Sequence, residues 1–456
     1  MIAIGFFVVL LLLALVLAAT GSANNLPINQ LAFLAVVFLV FFLSGIYVAA
    51  ALGGLGYLAS VFLSPRPLDA FFGEVAWDTS SSFGFVAVPL FVMMCNLLLR
   101  AGLSERLYRA LNLWLRRLPG GLLHTNIATC AVFASVCGSS AATAAMIGSV
   151  ALPYFQKTKY NQRMVLGSLA GGGALGQLIP PGVSLILYGL FTNTSIGKLY
   201  ASAFVAGLLV TIAMMVFLFI YGVVTKSREP KIGVSLSERL MSLWDLLPTV
   251  ALILVVLGSL YFGLATASEA AALGVGGALI LAGLNRRLNL QMLNDAVRST
   301  VRLTSMLTLI LIAAYILNYV LASLRLPQTL AQSVATLPIA PVLIMLVIFA
   351  FYIALGALME GFSLILTTVP IVFPVIIALG YDPVWYGVEM TMLIEVALIS
   401  PPDGLILYIL QGLRRPQGQI NDIFVGVLPF VAIYIGAALF MLAVPNSILW
   451  IQHVIK

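Results

Sequence analysis

The sequence predicts an all-α polytopic membrane protein made of two inverted repeats, each holding one re-entrant helical hairpin and one helix broken at a Pro-Pro pair. Three observations predict it. Of 456 residues, 62% are apolar and 8% charged, with a mean hydropathy of +1.14; a water-soluble domain carries about a quarter charged residues. Charge alternates in sign between successive loops. Pro180-Pro181 and Pro401-Pro402 interrupt matching apolar runs in the two halves. Such a composition excludes a soluble enzyme, a nucleic-acid binder and a disordered scaffold. The net charge of +7 then belongs to cytoplasmic loops rather than to a nucleic-acid surface.

A hydrocarbon core of about 30 Å takes about 20 helical residues. Ile2 to Ala19 is the first apolar run. Gly21-Ser-Ala resembles a signal-peptide exit, but no basic segment precedes the run, so an uncleaved helix is expected. Residues 1–29 are thus an extra N-terminal helix and linker. Leu31 to Leu63 is too long for one span and reads as two short helices broken near Gly45. Phe83 to Leu99 and the amphipathic segment Glu105 to Arg117, an interfacial cytoplasmic helix, complete block 30–121. Block 122–198 holds Leu122 to Leu152, Met164 to Leu178 and Val183 to Phe191. Block 199–338 holds four spans: Leu199 to Val224, Leu246 to Leu264, Ala270 to Leu284 and Leu303 to Leu324. In block 339–415, Ile339 to Ala378 precedes the short runs Thr391 to Ile399 and Leu405 to Leu413. Block 416–456 contains the last helix, Phe424 to Val444. Short apolar runs beside Pro-Pro read as half-helices.

Charge orients these spans. From Arg100 to Arg163 basic residues outnumber acids eight to one, and further clusters lie at Lys226 to Arg239, Arg286-Arg287 and Arg414-Arg415. Acidic loops carry Asp69, Glu74 and Asp78, then Asp382 and Glu389. The positive-inside rule places the basic clusters in the cytoplasm and the acidic loops outside. Leu122 to Leu152 has cytoplasmic charge on both flanks, so it enters and leaves from one face. It is a re-entrant hairpin. Ile339 to Ala378 is expected to do the same from outside.

Short words repeat between the halves. Pro180-Pro181 precedes Leu185-Ile186-Leu187-Tyr188, and Pro401-Pro402 precedes Leu405-Ile406-Leu407-Tyr408. Ser139 lies as far before Pro180 as Glu360 lies before Pro401. Ile196-Gly-Lys-Leu-Tyr200 resembles Ile420-Asn-Asp-Ile-Phe424. Opposite topology with matched words is an architecture used by many secondary transporters.

Tandem proline unwinds a helix because it lacks the backbone donor and clashes with the preceding turn. Unwound backbone at membrane depth persists only where it is buried or lines a cavity. The freed carbonyls are hard oxygen ligands suited to Na⁺, and the following half-helix offers N–H groups to an anion. The tip Cys137-Gly138-Ser139-Ser140 is expected to face the first break, and Leu358 to Gly361 the second. Glycine alone more often marks close helix packing, and a lone serine or threonine bonds back to its own helix. The coincidence of tip and break in both halves favours a site. Glu360, Glu395 and Asp403 are acids deep in an apolar half, where function is the default and helix capping the plainer alternative. Glu269 reads as a first-turn capping acid. Cys95, Cys130 and Cys137 lie in apolar runs with no metal spacing and no disulfide framework, and His124 and His453 are too far apart for a metal site.

Together these words resemble the large membrane subunit of the TRAP (tripartite ATP-independent periplasmic) transporters, from about Leu31 to Val444. The resemblance rests on Val88-Pro-Leu-Phe-Val-Met-Met-Cys-Asn96, Leu118-Pro-Gly-Gly121, Gly138-Ser-Ser-Ala-Ala-Thr-Ala144, Gly173-Ala-Leu-Gly-Gln-Leu-Ile-Pro-Pro181, Gly361-Phe-Ser363, Thr368-Val-Pro370 and Ile399-Ser-Pro-Pro402. It implies an ion-transporter-type elevator fold, with blocks 122–198 and 339–415 as the transport halves and the rest as scaffold. It implies Na⁺-coupled uptake of a small organic acid, carboxylate or zwitterion, across the bacterial inner membrane. Substrate would come from a soluble periplasmic binding protein, and a small four-helix membrane subunit would accompany this chain. Na⁺, the transported coupling ion, would be held by Cys137, Ser139, Gly176, Ile179 and Pro181, and in the mirror site by Gly356, Gly361 and Ser400. Substrate would meet Ser140, Thr143, Gly182, Glu360 and Asp403.

Four departures from the family pattern bear on those residues. Cys137 stands where many relatives have Ser, Thr143 where one branch has Asp, and Glu360 where Asp is common. Asp403 replaces an apolar residue, which favours either a zwitterionic or polar substrate over a dicarboxylate or a solvent-facing Asp403 outside the site. A stand-alone Na⁺- or H⁺-coupled organic-anion carrier is the alternative within this class. An intramembrane enzyme would need a nucleophile–base pair or metal ligands at depth, and the sequence offers neither.

Overall fold

The computed structural model describes residues 34–453 except 35, 39, 42–44, 65–67, 156, 157, 159, 227–234, 358, 416 and 417. The expected first span, Ile2 to Ala19, lies outside them. All regular elements among the described residues are helical. In chain order the helices are α1 (Val48–Leu63), α2 (Phe72–Ser81), α3 (Ala87–Arg100), α4 (Leu103–Leu115), α5 (Gly121–Cys137) and α6 (Ser140–Phe155). Then follow α7 (Gln162–Gly173), α8 (Leu175–Leu178), α9 (Val183–Thr192), α10 (Ile196–Val224), α11 (Leu236–Tyr261) and α12 (Ala267–Leu284). The remainder are α13 (Leu290–Ser323), α14 (Leu326–Ala335), α15 (Pro341–Gly356), α16 (Gly361–Ala378), α17 (Pro383–Ile399), α18 (Leu405–Leu413), α19 (Asn421–Ala443) and the short α20 (Asn446–Leu449).

The expected repeat is present in this order. A hairpin (α5–α6) precedes a helix (α7–α8) broken at Pro180-Pro181 and resumed as α9. In the second half α15 and α16 flank the expected tip in sequence and precede α17, which breaks at Pro401-Pro402 and resumes as α18. Both Pro-Pro bonds are cis. The break expected near Gly45 is a turn at that residue, with φ +71°.

Eight helical stretches among the described residues are long and apolar enough to cross a membrane. Helix α10 shows why lipid is the solvent. Phe204, Leu208, Ile212, Val216 and Ile220 form an exposed stripe at a spacing of one helical turn, while Val210, Met214 and Leu218 on another face are fully buried. A water-facing helix carries charge on its exposed stripe, and this one carries hydrocarbon. Helix starts are capped by sequence. Ser235 with Glu238 and Thr266 with Glu269 form capping boxes opening α11 and α12, so Glu269 is the capping acid its position predicts.

The chain divides into two compact units. The first comprises residues up to Phe83, Arg302–Ala340 and Phe362–Pro383. Within it α1 lies close against the distal part of α13: a side chain at Gly56 would meet the backbone of Leu317 at 3.2 Å. Small residues at such crossings let helix backbones approach without hydrophobic help from water.

The second unit comprises Gly84–Val301, Pro341–Gly361 and the segment from Val384 onward. Its centre is α7 and α17, whose residues from Met164 to Gly173 and from Val384 to Ile399 are all buried. Helix α7 is rich in glycine because α19 runs against it, with Phe430 packed on Gly171 and the Tyr434 hydroxyl donating to the Gly171 carbonyl at 3.1 Å. A buried chain of Tyr108, Asn126 and Ser168 joins α4, α5 and α7, each bond 2.9 Å long. At one end Asp422 accepts from Arg163 (3.1 Å) and from Arg414 (3.2 Å), tying the start of α7 to the α18–α19 connection.

Two expectations are corrected. Thr391 to Ile399 reads as a nine-residue half-helix, but α17 begins at Pro383, because Tyr386, Glu389 and Thr391 are helical and fully buried. Glu389 is therefore no loop residue. Cys95 and Cys137, expected to be unpaired, form a disulfide between α3 and the end of α5, and Cys130 is buried and free.

Candidate functional site

The first hairpin turns at its tip on Gly138. Its φ of +62° suits a residue without Cβ, and its N–H closes onto the Ala134 carbonyl at 3.1 Å, ending α5. Helix α6 then starts at Ser140. The Ser139 carbonyl accepts both the N–H (3.0 Å) and the hydroxyl (2.8 Å) of Thr143, and the Ser139 hydroxyl accepts from Ala142 N–H at 3.4 Å. In the broken helix, Ile179 and Gly182 are extended on either side of Pro180-Pro181. Neither proline returns an N–H to the carbonyls of the preceding turn, so that turn keeps oxygen atoms outside the helical ladder.

These two irregular segments meet. A Cβ on Gly138 would strike the Pro181 carbonyl oxygen, and one on Gly176 would lie 2.6 Å from the Ser139 carbonyl oxygen and 2.5 Å from Ser140 Cα. Gly182 is held equally close to the Gln177 carbonyl. Glycine at all three positions is what lets main chain face main chain. The structure thus brings Ser139 against Gly176, and Gly138 against Pro181, with Cys137 and Ile179 as their neighbours along the chain. The Cys137 sulfur is bonded to Cys95 and so offers no thiol there.

The mirror residues are placed less tightly. Gly361, at the second tip, is nearest to Ile394 of α17 (2.8 Å from a built Cβ) and to the Gln177 amide nitrogen of the first half (4.0 Å). Ser400 is half-buried and its hydroxyl returns to the Val396 carbonyl at 2.6 Å. Gly356 closes α15 and is half-buried. None of the described contacts joins Gly356 to Ser400.

Among the substrate candidates, Ser140, Thr143 and Gly182 are buried beside the first break, whereas Glu360 and Asp403 are exposed. Sequence reading missed the partners of these groups. Ser140 donates to Glu395 Oε1 at 2.7 Å and accepts the Gln177 N–H at 3.1 Å, and Gln177 in turn accepts the Ser184 hydroxyl. Glu395 stands out in the sequence as an isolated acid; its partner lies 255 positions away, and no local spacing announces that. Glu389, also fully buried, has neither carboxyl oxygen hydrogen-bonded among the described residues.

The sequence pattern of the family described as "Tripartite ATP-independent periplasmic transporter, DctM component" matches residues 35–447. The chain is 33% identical to the C4-dicarboxylate TRAP transporter large permease protein DctM of Pseudomonas aeruginosa, covering 79% of this chain and 84% of that protein. It is 31% identical to the sialic acid TRAP transporter large permease protein SiaM of Vibrio cholerae, covering 77% and 82%. Against the isethionate TRAP transporter permease protein DctMQ of Oleidesulfovibrio alaskensis it is 30% identical over 90% of this chain and spans 64% of that protein's length. The YdaH transporter of Alcanivorax borkumensis shares the fold at a TM-score of 0.59 and 15% identity, over 89% of this chain and 98% of that one. With the first hairpin, the two breaks and the sequence pattern in agreement, this multi-pass membrane protein belongs to the DctM component family of the TRAP transporters.

Proposed function

We propose that the chain is the permease of a Na⁺-coupled uptake system for a small organic acid, carboxylate or zwitterion, in the bacterial inner membrane. The observation that carries this reading is the meeting of the first hairpin tip with the first Pro-Pro break, where Gly138 faces the Pro181 carbonyl and Gly176 faces Ser139. The hairpin tip and the break, held main chain to main chain, offer backbone and hydroxyl oxygens as ligands for Na⁺ without a carboxylate in direct contact. The opening of α9 beside them, with Ser140, Thr143 and Gly182, suits an anionic group of the substrate. Relatives named for C4-dicarboxylate and sialic acid support a small acid as cargo. An elevator movement carries the site across, a periplasmic binding protein delivers substrate, and a small four-helix subunit completes the membrane complex.

The test is reconstitution in proteoliposomes with the small subunit, an inward Na⁺ gradient and labelled substrate. Uptake is expected only with the binding protein present and only down the Na⁺ gradient. Full uptake without the binding protein points instead to a stand-alone Na⁺- or H⁺-coupled carrier.

A further inference from the structure

The second repeat reaches into the site of the first through one carboxyl group. Glu395 lies in α17, just before the second break, and is fully buried. Its Oε1 accepts a hydrogen bond from the Ser140 hydroxyl at 2.7 Å, while Oε2 has no hydrogen-bond partner and no cation pairs with it among the described residues. Burying a carboxyl group with half its acceptor capacity unused is expensive. Packing alone would favour an apolar residue here. The Ser140 hydroxyl has a single proton. With that proton pointed at Glu395, the hydroxyl oxygen is turned to accept the Gln177 N–H at 3.1 Å. Gln177 is also fixed through its side chain by Ser184 and lies beside Gly176, whose close approach to Ser139 defines the oxygen cluster.

We infer that Glu395 is a positioning residue. Acting through Ser140, it fixes the first hairpin tip against the first broken helix, and so sets the spacing of the oxygens at Ser139, Gly176 and Pro181. The effect is mechanical and not one of charge: what matters is an acceptor at Oε1. The second tip touches the same junction, with Gly361 against Ile394 and Gln177, so the joint links both repeats within this unit. The inference rests on the Na⁺ reading of that cluster.

The experiment uses the reconstituted complex with its binding protein, comparing wild type with Ser140→Ala, Glu395→Ala, Glu395→Gln and the double variant Ser140→Ala/Glu395→Ala. Removing a hydrogen bond to a carboxylate should raise the Na⁺ concentration for half-maximal uptake by about tenfold, with the maximal rate reduced far less. Glu395→Gln keeps the amide oxygen as acceptor and is expected to restore Na⁺ half-saturation to near wild type. The double variant should be no worse than the worse single one, because both remove the same bond. Na⁺-dependent wild-type uptake with unchanged half-saturation in Ser140→Ala and Glu395→Ala overturns the inference. So does Glu395→Gln failing as badly as Glu395→Ala, which would assign the role to charge. Wild-type uptake indifferent to Na⁺ instead removes the coupling reading. The Ser140–Glu395 joint is then judged by the melting shifts of the same variants in detergent: additive shifts reject it, and non-additive shifts retain it.

Discussion

Gly167 and Gly426 place two helices in backbone contact: a Cβ on Gly167 would fall on the Gly426 carbonyl oxygen, and one on Gly426 would fall on the Arg163 carbonyl oxygen. Helices α7 and α19 therefore meet backbone to backbone at this point, with the Phe430 ring of α19 packed beside it on Gly167 and Gly171. The crossing holds the base of the first broken helix, above which Tyr434 bonds to Gly171.

Gly167→Ala should destabilise the protein by about 1–3 kcal/mol, because the neighbouring atoms are backbone and have no rotamer to yield. Melting of the purified protein in detergent measures it. Gly436→Ala is the control on α19, since nothing lies within 4 Å of a Cβ there; its effect should stay within about 0.5 kcal/mol.

Ser139→Ala removes a hydroxyl from the oxygen cluster but leaves the carbonyl that Thr143 caps. Na⁺ half-saturation of uptake should rise severalfold. Ser149→Ala, on the exposed face of α6 with its hydroxyl returned to Met146, should leave it alone. Equal Na⁺ dependence in both variants takes Ser139 out of the site.

Topology is open to direct labelling. The turn at Thr158, between α6 and α7, should react with a membrane-impermeant thiol reagent only from the cytoplasmic side when Thr158→Cys is introduced. Asp382→Cys should react only from outside. Periplasmic labelling at Thr158 in intact cells would refute the re-entrant hairpin and the inverted repeat with it.

Digestion under non-reducing conditions should release a linked peptide pair containing Cys95 and Cys137. Cys130, fully buried in α5, should react with alkylating reagents only after denaturation. Two separate free peptides for Cys95 and Cys137 would show the pair to be unbonded in the membrane.

The architecture was readable wherever proline and glycine punctuate apolar runs. The turn at Gly138 and the breaks at Pro180-Pro181 and Pro401-Pro402 are local events, fixed by residues that cannot do otherwise. Helix α17 was read too short because Glu389 and Thr391 look like loop residues in a one-dimensional hydropathy reading. Their burial follows from neighbours elsewhere in the chain. The same holds for Glu395, whose isolation is visible in sequence but whose bond to Ser140 exists only after folding. Cys95 and Cys137 have no framework spacing, and only the approach of α3 to the end of α5 makes them partners. The exposed positions of Glu360 and Asp403 likewise depend on how the second tip and break turn.

The cystine at the first tip makes the two repeats unequal in covalent terms. The first hairpin is fastened to α3 by a bond that thermal motion does not open, whereas residues 341–378 contain no cysteine. The cystine closes a covalent loop between positions 42 apart in the chain, so the first tip keeps α3 as its neighbour even where the packing around it loosens.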